Sequence, residues 1–160
     1  MSEQINKKIL LIILVFISLT LVLAFIIEHK FDHQPCKLCI YERIPYFVSI
    51  FLIAKFFFTK NYNKITLLIL SLVFFTGSIL AFYHFGIEQG FFKESFVCAN
   101  ANLSETLTKE ELLEQLNQNT ISCKDVSFRI FGFSLAAINT IFSLILSGIF
   151  TKLFINYGKN

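Results

Sequence analysis

The chain has 160 residues, 55% of them hydrophobic and only 16% charged, with 21 Phe, no Trp and a mean hydropathy of +0.67. Soluble domains average about 45–50% apolar and about 25% charged residues, so this composition excludes an ordinary soluble enzyme and points to a lipid bilayer as the solvent. The length allows one domain, a net charge of +3 spread along the chain argues against a nucleic-acid partner, and neither G-x-G-x-x-G nor a P-loop pattern is present to cradle a nucleotide.

Crossing about 30 Å of hydrocarbon at about 1.5 Å per residue takes roughly 20 apolar residues. Charge-free runs of that size occupy residues 9–27, 65–83 and 130–151. Backbone amides facing lipid must be paired within their own segment, so each run is expected to be a helix. The first run follows Lys7 and Lys8 as a signal peptide would. It is longer than an h-region of about 7–15 residues and ends Phe25-Ile26-Ile27-Glu28 without a small-x-small cleavage site, so it reads as a retained span. A further span is expected over residues 44–60. Lys55 interrupts it, but a lysine stem lets the ammonium reach the interface while Phe56, Phe57 and Phe58 complete the apolar length. Pro45 suits the first turn of that helix, and Arg43 marks its membrane boundary.

These runs predict an all-α membrane protein: a four-helix transmembrane bundle, one integral domain over residues 1–160, with loops at 28–43 and 84–129 on the same side. Lys and Arg are denser in the short segments that carry the termini, which predicts cytoplasmic termini and places both loops outside. Cys36, Cys39, Cys98 and Cys123 then all lie on the oxidising side, where thiols can pair and stay paired. Within the second loop, Thr108-Lys109-Glu110-Glu111 is a capping box, and Leu112, Leu113 and Leu116 follow at helical spacing. A short amphipathic helix lying on the bilayer surface is expected there, keeping that loop near the first cysteine pair.

Cys36-Lys37-Leu38-Cys39 is a C-x-x-C, a dithiol pattern that serves redox exchange or metal binding. It lies four residues before Arg43, at the membrane surface and within reach of a lipid-dissolved molecule. Arg43, His33 and Lys37 are candidate cations for lowering a thiol pKa. Two inert structural disulfides would also account for four cysteines. A zinc site is disfavoured because Cys98 and Cys123 lack paired ligand spacing, and no metal ligand is assigned. His84 reads as an interfacial amphipathic residue or a site residue, and Asn139 as a hydrogen-bonding group between helices.

Pro35-Cys36-Lys37-Leu38-Cys39-Ile40-Tyr41-Glu42-Arg43 resembles the motif of the bacterial disulfide bond formation protein B family, DsbB. The likeness extends to the four spans, one cysteine pair in each outer loop, Tyr83-His84-Phe85-Gly86-Ile87-Glu88-Gln89-Gly90 ahead of Cys98, and Phe131-Gly132 after Cys123. It implies an enzyme of the bacterial inner membrane that re-oxidises a periplasmic DsbA-like, thioredoxin-fold oxidase and passes electrons to a membrane quinone, ubiquinone or menaquinone. By the same resemblance, Cys98 forms the mixed disulfide with the partner, and Cys123 is its pair and exchanges with Cys36. Cys39 lies next to the quinone, with Arg43 and His84 placing the ring and stabilising negative charge. The chain departs from the family in its short C-terminal tail and in lacking Trp, which leaves aromatic ring contacts to Phe or Tyr. The residues alone are consistent with this scheme, since no flavin or nicotinamide fingerprint is present and the electron sink must be borrowed. A relative dedicated to one exported partner is the nearest variant of this reading, and a non-catalytic membrane protein stapled by two disulfides is the alternative from another class.

Overall fold

The computed structural model describes residues 2–30, 35–58, 63–93, 123–124, 129–130 and 132–157. Each charge-free run lies wholly or largely in a helix. They are α1 (Ser2–Lys30), α4 (Asn63–Glu88) and α5 (Leu135–Asn156), joined in chain order by α2 (Lys37–Tyr41), α3 (Ile44–Phe58) and the two short strands β1 (Arg129–Ile130) and β2 (Phe133–Ser134). Among the described residues, three helices are long and apolar enough to cross a membrane, over Lys7–Lys30, Lys64–Glu88 and Leu135–Asn156. The fourth long helix, α3, starts where expected and has Pro45 in its first turn, but its 15 residues reach only about 22 Å. It packs against both α1 and α4, while α4 and α5 form the most extensive pair.

The architecture is helical as expected, with one small antiparallel hairpin added, in which Arg129 lies opposite Ser134 and Ile130 opposite Phe133. Gly132 sits in its turn at φ +86°, a conformation open to glycine and strained for a β-branched residue. The last helix therefore begins at Leu135 instead of 130 and continues to Asn156 instead of stopping at 151. The physical reason is local. The Ser134 side chain accepts a hydrogen bond from the Ala137 N–H at 3.2 Å and caps the helix there, whereas hydropathy marks only where charge is absent. Similarly, α4 runs past Tyr83 to Glu88, because His84 and Ile87 are buried within the bundle and do not belong to a loop. The predicted amphipathic helix near residues 108–116 lies outside the described residues.

Near the chain termini the four long helices enclose an apolar core of Leu10, Ile13 and Ile17 from α1, Ile53 and Phe56 from α3, Leu67, Leu70 and Phe74 from α4, and Leu146, Phe150 and Leu153 from α5. The Phe74 and Phe150 rings stack, with centroids 5.6 Å apart and planes at 8°. Small polar groups tie α4 to α5 alongside: Ser71 and Thr151 hydroxyls lie 2.7 Å apart, and Ser147 donates to the Ser71 carbonyl at 3.1 Å. Small residues that allow close approach and hydrogen bonding are what hold helices together where lipid removes the hydrophobic drive. Gly77 plays the corresponding role between α4 and α3, where an added Cβ would lie 3.1 Å from the Pro45 ring. The outward faces carry exposed Ile12, Phe51, Ile79, Phe82 and Leu144, the surface a bilayer would cover.

Candidate active site

At the other end of the bundle a second buried cluster joins Cys36, Leu38, Ile87 and Cys123, with Cys39, Leu80 and Tyr83 packed against it. It brings a cysteine of the second loop onto the C-x-x-C. Cys123 is held in a disulfide, whereas Cys36 and Cys39 are both free thiols. Cys98 lies outside the described residues.

The C-x-x-C is shaped by α2 itself. Cys36 is the residue that caps this short helix, and its Sγ accepts from the Cys39 N–H at 3.2 Å, so both sulfurs are turned to one side. They lie 2.8 Å apart. Glu42 closes α2, its N–H bonded to the carbonyls of Leu38 and Ile40, which sets its side chain beside the pair. From α4, His84 brings Nε2 to 3.5 Å from the Cys36 sulfur and Nδ1 to 2.6 Å from Glu42 Oε1. The other Glu42 oxygen accepts from the Asn139 amide at 2.6 Å, and the Asn139 carbonyl oxygen accepts in turn from the hydroxyls of Tyr46 and, at 3.3 Å, Ser143. Residues from α2, α3, α4 and α5 are thereby linked in one polar network with little exposure: 6% for Cys36, 3% for His84 and 8% for Glu42.

This geometry sets the two thiols apart. Cys36 is lowered from 9.0 to about 5, mainly by the hydrogen bond from the Cys39 thiol; burial opposes the shift, and the adjacent His84 reinforces it. Cys39 is pushed up by the same shared hydrogen bond and by burial, so it keeps its proton. A thiolate is the species that attacks or leaves in disulfide exchange. An imidazole between that sulfur and an orienting carboxyl is an arrangement that manages the proton of a nucleophile.

The sequence-predicted residues thus divide. Cys36, Cys39 and His84 meet, and Cys123 packs against them. Arg43 turns elsewhere, with Nη1 2.7 Å from Glu28 Oε2 and the guanidinium 5.0 Å from the centre of the Phe25 ring, tying the end of α1 to the corner between α2 and α3. Lys37 is exposed, and His33 lies outside the described residues. Asn139 joins helices as expected. Glu42, inside the quoted motif, and Glu88 and Tyr46 join the site without a role that the sequence assigns to them. The available signal was an acidic or amide group within or beside an apolar helix, which marks a function or a partner by its cost alone.

The family model described as disulfide bond formation protein DsbB matches residues 6–153. The chain belongs to the DsbB family. An uncharacterized protein of Rickettsia prowazekii (strain Madrid E), RP370, is 30% identical over 156 residues, which is 96% of this chain and 90% of that protein. DsbB membership makes the chain a disulfide oxidoreductase that acts in disulfide-bond formation. With three helices able to span a bilayer, it is a multi-pass membrane protein.

Proposed function

We propose that this DsbB-family protein is a thiol:quinone oxidoreductase of the bacterial inner membrane, a single domain with cytoplasmic termini and α3 as its fourth span. It re-oxidises a periplasmic DsbA-like, thioredoxin-fold oxidase. The observation that carries the reading is the pair of free, adjacent thiols at Cys36 and Cys39, backed by His84 and packed against a cysteine already in a disulfide. Two inert staples would leave no such pair.

The outer pair, Cys98 with Cys123, takes two electrons from the partner dithiol through a mixed disulfide at Cys98. The Cys123 thiolate then attacks Cys36 of an oxidised Cys36–Cys39 bond. Cys39 leaves as the new thiol, and a further exchange restores the outer disulfide, with both electrons now on the Cys36–Cys39 dithiol. A membrane quinone, ubiquinone or menaquinone, supplies the two-electron sink. Ile40, Tyr41, Ile44 and Phe47, close to Cys39 and Arg43 in the chain, are exposed apolar side chains that support contact with such a ring. Arg43 uses one Nη on Glu28 and retains further N–H donors for a ring oxygen. His84 holds or moves the proton at Cys36 through Nε2, kept in that orientation by Glu42.

The test mixes the purified protein in detergent with a reduced thioredoxin-fold oxidase and a soluble quinone, and follows quinone absorbance. Stoichiometric, quinone-dependent oxidation that disappears in Cys39→Ser is expected. Oxidation independent of quinone, or undiminished in that variant, overturns the reading.

A further inference from the structure

The buried cluster has a second chemical capacity. The sulfurs of Cys36 and Cys39 and Nε2 of His84 all lie within 4.8 Å of one another, a soft ligand set on a shared face. In a tetrahedral zinc-type site, with metal–sulfur bonds of about 2.3 Å and metal–nitrogen bonds of about 2.0–2.1 Å, a sulfur and a nitrogen ligand stand about 3.6 Å apart. Cys36 Sγ and His84 Nε2 are 3.5 Å apart.

The imidazole is also held as metal-binding imidazoles are held. Its Nδ1 donates to Glu42, whose second oxygen is fixed by Asn139, so Nε2 is left facing the Cys36 sulfur as the ligand atom. Glu88, one turn further along α4, lies at the edge of this group on the His84 side and is the candidate fourth ligand. Its Oε1 lies 3.8 Å from Nε2, its side chain is 6% exposed, and its Oε2 is buried with no hydrogen-bond partner. The orphaned oxygen is the second, independent sign of a missing ligand, because buried carboxyl oxygens are ordinarily satisfied.

We propose that in the dithiol state Cys36, Cys39, His84 and Glu88 bind a thiophilic divalent cation of the zinc class. The two sulfurs, 2.8 Å apart, must open by about 1 Å to reach a tetrahedral edge. The movement falls on Cys39, the less buried of the two. Two metal–sulfur bonds form, any proton still on either sulfur leaves to solvent, and no electron is transferred. Formation of a Cys36–Cys39 disulfide removes both sulfur ligands, so the site exists only in the reduced protein. A bound cation holds both thiolates and keeps the dithiol from surrendering its electrons. That consequence rests on the oxidase reading; the binding does not.

The test uses full-length Cys98→Ser/Cys123→Ser protein in detergent, which leaves Cys36 and Cys39 as its only thiols. It is reduced, freed of reductant anaerobically and titrated with Co2+ alone, without partner or quinone. One equivalent should produce thiolate-to-cobalt charge-transfer absorption together with the visible bands of tetrahedral cobalt, both abolished by Zn2+ and absent from the oxidised sample. Glu42→Gln, which keeps the size of the side chain, should weaken binding by about 10–100-fold, as loss of an orienting partner does. His84→Ala and Glu88→Gln should alter the visible bands themselves. The proposal is overturned by absence of the charge-transfer band, by equal binding to oxidised protein, or by identical spectra and affinity in Glu42→Gln and Glu88→Gln. None of these failures touches the oxidase reading, which is measured by quinone absorbance.

Discussion

The two ends of the bundle are built from the same long helices by opposite means. Near the termini, Phe74, Phe150, Leu10 and Ile53 interlock without a polar atom among them, and side-chain volume alone decides whether the helices fit. At the other end, Cys36, His84 and Glu42 are buried and Asn139 half-buried, but hydrogen bonds fix their positions, and each partner has its own partner. A packed apolar core tolerates swaps of similar volume. A buried polar chain tolerates almost none, because removal of one member strands the next. One end therefore carries stability and the other chemistry, and substitutions should separate the two.

The largest effect should come from the apolar end. Phe74→Ala removes one of two stacked, fully buried rings and should destabilise the protein by about 3–5 kcal/mol, read as a lowered midpoint in a detergent unfolding titration. The pH profile of Cys36 alkylation in the remaining folded fraction should not move; if it does, the two ends are coupled and the contrast fails.

A smaller effect is expected at the polar end. The folded-state pKa of Cys36 is depressed, so its thiolate is present above about pH 5 and lost below it. Iodoacetamide labelling of Cys36, located by mass spectrometry, should rise through pH 5 and then level off. His84→Ala should shift that midpoint upward by at least about one unit, or about 1.4 kcal/mol, with little change in unfolding midpoint. A wild-type midpoint near 9 would contradict the network.

Least of all should follow from Ser71→Ala, which removes a hydroxyl shared with Thr151 between α4 and α5. A loss of about 0.6 kcal/mol is typical for such bonds between membrane helices. A loss several times larger would mean that polar ties, rather than ring packing, hold the terminal end together.

Much of the fold was legible because a bilayer imposes simple rules of length and charge, and residues 9–27 and 65–83 obey them without exception. The start of α5 was not, since Ile130 and Phe131 are as apolar as any span. The turn at Gly132 and the cap at Ser134 hold Ile130 outside the helix. The motif around Cys36 announced the dithiol, yet nothing local tied it to His84, 48 positions away. That meeting depends on how α4 is rotated against α2, which no periodicity in either segment records. Arg43 illustrates the reverse: its place at the boundary was readable, and its engagement by Glu28 and Phe25 was not.

The sulfur of Cys36 is also the atom that caps the start of α2, accepting the backbone N–H of Cys39. An anionic acceptor strengthens such a bond and a disulfide sulfur weakens it. The electron count of the site is therefore written into the backbone, and the amide of Cys39 becomes a native reporter: a single main-chain resonance whose position follows the oxidation state of the side chain three residues before it.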